Sequence, residues 1–201
     1  VNNNLYTNYL ARWNLKYVLS LLEVMKKEET SSYNELVEKT GLTEMETAKW
    51  KEVQEKIYLP RKEGTKLLEQ FEGYFELDNV TIEKYDENDW PIRPEALKTK
   101  KAKETQINKQ ADVVMLLHLM GNEFDDETIK ENYAYYEKRT LHGSSLSPSI
   151  YSVMGLKVGD DSKAYRYLRR AAFIDLLNMQ GNTREGIHAA NTGGVWQTIV
   201  F

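Results

Sequence analysis

The chain has 201 residues and a mass of 23.4 kDa, enough for one domain with a sizeable core. Hydrophobic residues make up 41% and charged residues 29%, which excludes a disordered tail, and no apolar run reaches the ~20 residues that span a bilayer. A net charge of −4 argues against a basic nucleic-acid module, and the absence of cysteine removes disulfide scaffolds, zinc–thiolate sites and thiol nucleophiles.

The first expected element runs from Tyr6 to Met25, where Leu10, Trp13, Tyr17, Leu21 and Val24 recur at three- and four-residue spacings and predict one buried helix face. Ser31 or Ser32 suits the cap of a short helix through Lys39, closed by Gly41. Thr43 followed by Glu46 has the form of a capping box opening a third helix to about Lys56, before Pro60. The aromatic and glycine mixture between Ile57 and Leu77 suggests short extended segments. Residues 78–105 hold Pro91, Pro94 and the lysine-rich run from Lys98 to Lys103, and read as a long loop. Helical pattern is expected from Gln106 to Met120, from Asp125 to Lys138 and from Pro148 to Val158. Asp160 or Asp161 caps a further helix to about Asp175, and a last one fills much of Gly186 to Phe201. The fold class is all-α, built of antiparallel helix pairs. A tetratricopeptide-like rhythm at Asp161–Ala172 finds no 34-residue period elsewhere.

Three segments carry candidate chemistry. Lys109 and Gln110 stand where a strongly apolar helix begins, and ammonium and amide groups suit sugar hydroxyls; a plain polar first turn is the ordinary reading. In the run from Arg139 to Pro148, Gly143, Ser144 and Ser145 before a helix make an anion cradle, with His142 as a further donor. The ordinary reading there is Ser147 capping the helix. The cluster from Gly181 to Gly194 is rich in Gly, Asn and Thr and includes Glu185 and His188. Gly193 and Gly194 inside a helix cost about 1 kcal/mol each against alanine, which asks for a close approach by backbone or ligand. Of the aromatic residues, Trp90 in the long loop leans most towards a binding edge. No metal-ligand spacing or nucleophile–base order is present, so no metal or cofactor is expected.

Taken in order, the segments Asn2–Asn8 with Ala11–Trp13, Glu69–Phe75, Lys109–Val113, His142–Ser149, Gly186–His188 and Gly193–Trp196 resemble glycoside hydrolase family 65, the inverting disaccharide phosphorylases acting on α-glucosides. The resemblance spans the chain and implies an (α/α)₆ barrel, of which residues 1–201 would be the carboxy-terminal half, cut at both ends. It implies an enzyme that cleaves an α-linked glucosyl disaccharide with inorganic phosphate, giving β-glucose 1-phosphate and a sugar. Lys109 and Gln110 would hold the transferred glucosyl unit, and Ser144, Ser145 and His188 the phosphate, with His142, Glu185 and Trp90 as further neighbours. The family's general acid, a glutamate in a Gly-Pro-x-Glu-Tyr-type string upstream of the Asn-rich segment, is not in this sequence, so the piece alone is expected to be inactive. The expected partners are disaccharide and phosphate, with neither nucleic acid nor membrane and a homodimer left open; the expected compartment is the cytoplasm. A hydrolase of the same family and a helical-repeat interaction module remain the alternatives.

Overall fold

The computed structural model describes residues 1–87, 90–110 and 112–200; Ala111 of the Lys109–Asp112 segment and Phe201 of the last helix lie outside the described residues. The described residues form eight α-helices and no named strand, in two compact units, Val1–Pro60 and the chain from Arg61 onward.

The first unit holds α1 (Leu5–Glu28), α2 (Thr30–Thr40) and α3 (Glu44–Lys56). Asn4 caps α1 by accepting from the Thr7 amide at 3.0 Å, so the Asn-rich opening is partly a capping turn. Asn8 Nδ2 donates to the Tyr58 carbonyl at 2.8 Å and fastens α1 to the end of the unit. The Thr43–Glu46 box is fully formed, with both reciprocal hydrogen bonds. Two expectations change. Glu29, rather than Ser31 or Ser32, occupies the cap of α2, because that helix follows α1 after a single residue. The face expected to be buried on α1 is not: Leu5 and Leu22 are buried, Leu10 and Trp13 are half-buried, and Tyr17, Leu21 and Val24 are exposed. Spacing sets which side chains share a face, whereas burial needs a partner surface packed on it.

The second unit is centred on α6 (Ser147–Val158), which packs against α4 (Asp112–Leu119), α5 (Asp126–Glu137), α7 (Asp161–Phe173) and α8 (Ala189–Val200). Small residues let the helices approach: a Cβ on Gly155 of α6 would stand 3.1 Å from the Ala164 Cβ of α7 and from the Tyr133 hydroxyl of α5. Ser152 Oγ donates across the same contact to the Ala164 carbonyl at 2.6 Å. Asp160 caps α7 by accepting from the Lys163 amide at 3.2 Å.

The segments before α4 are irregular. The extended stretches expected at 57–77 reduce to one isolated antiparallel bridge, Arg61 to Leu68, and a 3₁₀ turn at Tyr74–Glu76. Side chains hold them instead of a sheet. Asn132, fully buried on α5, accepts from the Leu68 amide at 2.8 Å and donates to the Lys66 carbonyl at 2.9 Å, while the Tyr136 hydroxyl donates to the Leu68 carbonyl at 2.6 Å. The helix expected from Gln106 is described from Asp112, because Thr105 and Gln106 pair with Asp78 while Asn108 and Lys109 are spent in backbone pairing with the stretch after α5. Within 78–105, Ile82 and Leu97 join Ile107 in a small core of their own, flanked by Val80, Tyr85 and Leu141. Among the described residues no helix is long and apolar enough to cross a membrane.

Candidate functional site

A short parallel bridge between Asn108 and Thr140 builds the site. The Asn108 amide donates to the Arg139 carbonyl at 2.7 Å, the Leu141 amide to the Asn108 carbonyl at 2.8 Å, and the Gly143 amide to the Lys109 carbonyl at 3.0 Å. This ladder lays Lys109 against the His142–Ser145 turn. A Cβ on Gly143 would stand 3.2 Å from Lys109 Cγ, so the absence of a side chain at Gly143 gives the lysine stem room. Lys109 and Gln110 are exposed, and Ser144 and Ser145 are half-buried directly before α6.

The start of α6 differs from the ordinary reading of its sequence. Ser147 does not cap it; Leu146 holds the cap position, with no side-chain cap hydrogen bond, and Pro148 sits in the first turn. The Ser147 hydroxyl is instead taken by His142, whose Nδ1 lies 2.8 Å away. The Leu146 amide donates to the Ser144 hydroxyl at 3.4 Å and the Ser147 amide to the Ser144 carbonyl at 3.2 Å, and Pro148 has no N–H, so the donors this turn offers an anion are the Ser144 and Ser145 hydroxyls.

His142 itself is buried with both ring nitrogens engaged. Its Nε2 lies 3.1 Å from the Tyr167 hydroxyl, and that hydroxyl donates to Glu137 Oε1 at 2.9 Å. A hydroxyl that gives its proton to a carboxylate must accept from the imidazole, so Nε2 carries the hydrogen and Nδ1 accepts from Ser147. Lys163 closes the chain on Glu137 Oε2 at 2.8 Å. Burial, then the positive charges of Arg166 and Arg170, push the His142 pKa down to about 3. His142 is therefore a neutral core histidine that orients its turn, not an open donor. It also sits at φ +51°, a left-handed backbone conformation that turns the chain towards Gly143.

Trp90 is half-buried and packs on this core. Its ring lies 5.4 Å from the His142 ring and takes the Arg170 guanidinium at 3.9 Å on its face. Glu185 is exposed in the 3₁₀ turn Thr183–Glu185. His188 immediately precedes α8; its amide and ring Nδ1 bond to Asp175, not to the serine turn, and its carbonyl accepts from the Asn191 and Thr192 amides of α8. The helix that follows it packs on the same α6 that the serines precede: Gly194 abuts Ser149, and Asn191 Nδ2 donates to the Ala171 carbonyl of α7 at 2.7 Å. Asp175 is the residue that sequence reasoning missed. The expected helix reaches about that position and hides it, whereas α7 ends at Phe173 and leaves Asp175 in a turn.

These arrangements belong to a known class. Residues 1–197 match the family model described as the glycosyl hydrolase family 65 central catalytic domain, and the chain belongs to that family. The central domain of the family is an (α/α)₆ barrel, in keeping with the all-helical fold. Over its full length the chain is 54% identical to a kojibiose phosphorylase of Thermoanaerobacter brockii and 34% identical to an alpha,alpha-trehalose phosphorylase of the same organism, covering 26% of each. A solved structure described as "Putative kojibiose phosphorylase from human microbiome" superposes with a TM-score of 0.81 at 32% identity, covering 100% of this chain and 26% of that one. The chain thus spans about a quarter of the length of the relatives it matches.

Proposed function

We propose that this chain is the carboxy-terminal half of the catalytic barrel of an inverting disaccharide phosphorylase, and that the parent enzyme cleaves kojibiose with inorganic phosphate. Lys109 and Gln110 position the transferred glucosyl unit, and Ser144, Ser145 and His188 receive phosphate. The observation that carries this reading is the Gly143–Lys109 hydrogen bond, which sets an exposed ammonium and amide beside a donor turn that contains no carboxylate. An inverting hydrolase needs a second carboxylate ~6.5–9.5 Å from its acid to deprotonate water. Phosphate arrives already anionic and needs donors, which the Ser144 and Ser145 hydroxyls before α6 and the neighbouring Lys109 ammonium supply. The choice of kojibiose follows the 54% identity to a protein of that name.

In this reading the general acid is the upstream glutamate of the family, which protonates the glycosidic oxygen. Phosphate attacks the anomeric carbon from the opposite face while Lys109 and Gln110 hold the ring in line, inverting the configuration. The C–O bond to the acceptor breaks, the bond to phosphate forms, and β-glucose 1-phosphate leaves with glucose.

The test is the full-length parent incubated with kojibiose, with and without phosphate. The expected result is phosphate-dependent cleavage to β-glucose 1-phosphate and glucose, with little sugar released when phosphate is omitted. Release of two free glucose molecules at full rate without phosphate would make the parent a hydrolase.

A further inference from the structure

We propose that Asp175 is a positioning residue that holds His188 with Nε2 turned outward as a phosphate donor. The inference rests on the reading of His188 as a phosphate ligand. Asp175 grips His188 twice: Oδ2 accepts from the His188 amide at 2.8 Å, and Oδ1 faces the ring Nδ1 at 2.5 Å. One carboxylate thereby fixes both the backbone and the ring plane of the residue that opens α8. The pair is largely shielded, with side chains 21% and 16% exposed, so water competes weakly for either bond.

The chemistry of the two partners assigns the proton. An ionised carboxylate only accepts, so Nδ1 must carry hydrogen, and Nε2 is the nitrogen left for a ligand. Among the described residues Nε2 makes no hydrogen bond. In a neutral ring of this tautomer Nε2 would accept and would repel phosphate oxygens. In the imidazolium form both nitrogens donate, and the Asp175 charge compensates the ring charge on the side away from the ligand. The bonds from His188 in turn hold the Asp175 carboxyl below its ordinary range, keeping it ionised and acceptor-only. Asp175 is itself steadied in its turn, since its carbonyl accepts from the Asn178 amide at 3.1 Å and from the Thr183 hydroxyl at 3.4 Å.

The experiment compares Asp175→Asn, Asp175→Glu, His188→Ala and the double variant Asp175→Asn/His188→Ala in the full-length parent, with inorganic phosphate as the varied substrate. Asparagine keeps one accepting oxygen but loses the other and the charge, so the phosphate KM should rise about tenfold while the disaccharide KM stays close to the parent's. Glutamate keeps the charge on a longer stem and should raise the phosphate KM less, which keeps the comparison available if the asparagine variant folds poorly. In the double variant the asparagine change should add almost nothing to His188→Ala, because Asp175 acts through the ring. If His188→Ala raises the phosphate KM and neither Asp175 variant does, Asp175 is not a positioning residue while the phosphate reading stands. If His188→Ala leaves the phosphate KM unchanged, the pocket assignment itself falls, and this inference with it. An Asp175→Asn effect that adds fully to His188→Ala, or that lowers Tm while leaving the phosphate KM alone, makes the contact purely structural.

Discussion

Gly194 of α8 meets Ser149 of α6 so closely that a Cβ on the glycine would stand 2.8 Å from the Ser149 Cβ, with the hydroxyl oxygen nearer still. Ser149 is buried, and its carbonyl accepts from the Thr198 hydroxyl one turn along α8 at 3.3 Å. The neighbouring Gly193 has nothing within 4 Å of such a Cβ. The pair of glycines therefore has two different meanings: one makes room for α6, and the other only loosens the helix.

That contrast is testable. Gly194→Ala should destabilise the parent by about 1–2 kcal/mol, as overpacking outweighs the gain in helix propensity. Gly193→Ala should stabilise it by about 0.5–1 kcal/mol. Denaturant melts of the two variants side by side check the signs, and equal signs would refute the close approach.

The buried His142 predicts a pH dependence. Its pKa falls from 6.5 to about 3 on folding, so the native state resists the proton that the unfolded chain accepts. Stability is full above pH 6.5 and is lost as pH falls from there towards 3, by up to roughly 1.4 kcal/mol per pH unit. His142→Gln should lower stability at neutral pH yet flatten the slope between pH 6 and 4.5, a window above most carboxylate titration. Urea melts of parent and variant across that window measure the difference.

Asn132 holds the irregular stretch around Leu68 by two hydrogen bonds, to the Leu68 amide and the Lys66 carbonyl, and bonds back to the Thr128 carbonyl of its own helix. Asn132→Ala leaves the buried Leu68 amide and the half-buried Lys66 carbonyl without this partner and should cost about 2–4 kcal/mol. Asn132→Asp keeps the acceptor for Leu68 but loses both donors and should also destabilise. Thermal melts of the two variants report whether the segment depends on this side chain.

Lys109→Ala and Gln110→Ala should each lower kcat/KM for the disaccharide at least tenfold while changing stability by less than about 0.5 kcal/mol, because both side chains are exposed and precede α4. Steady-state kinetics and a melt on the same preparations separate the outcomes. A large stability loss with normal kinetics would return both residues to a structural role.

Local signals were legible wherever the interaction spans a few residues. The Thr43–Glu46 box, Gly41 at the end of α2, Pro148 in the first turn of α6 and the Asp160 cap all lie within one helical turn of what they bond. Pairings over longer distances left no such mark. Asp175 meets His188 thirteen positions later, and Asn132 meets Leu68 across sixty-four, so neither contact has a spacing to read. His142 shows a subtler limit. Residue type marks it equally as a ligand donor and as a core group, and only the positions of Ser147, Tyr167 and Glu137 decide for the core. The α1 face failed in a third way, since periodicity names a stripe without naming what lies on it.

The ladder from Asn108 to Gly143 also ties the two loops proposed to hold sugar and phosphate into one mechanical body, because the Lys109 carbonyl and the Gly143 amide share a single hydrogen bond. Whatever steadies one of these loops reduces the ordering entropy left for the other. Sugar and phosphate should accordingly promote each other's capture, and thermodynamic reciprocity requires the enhancement to be the same factor in both directions.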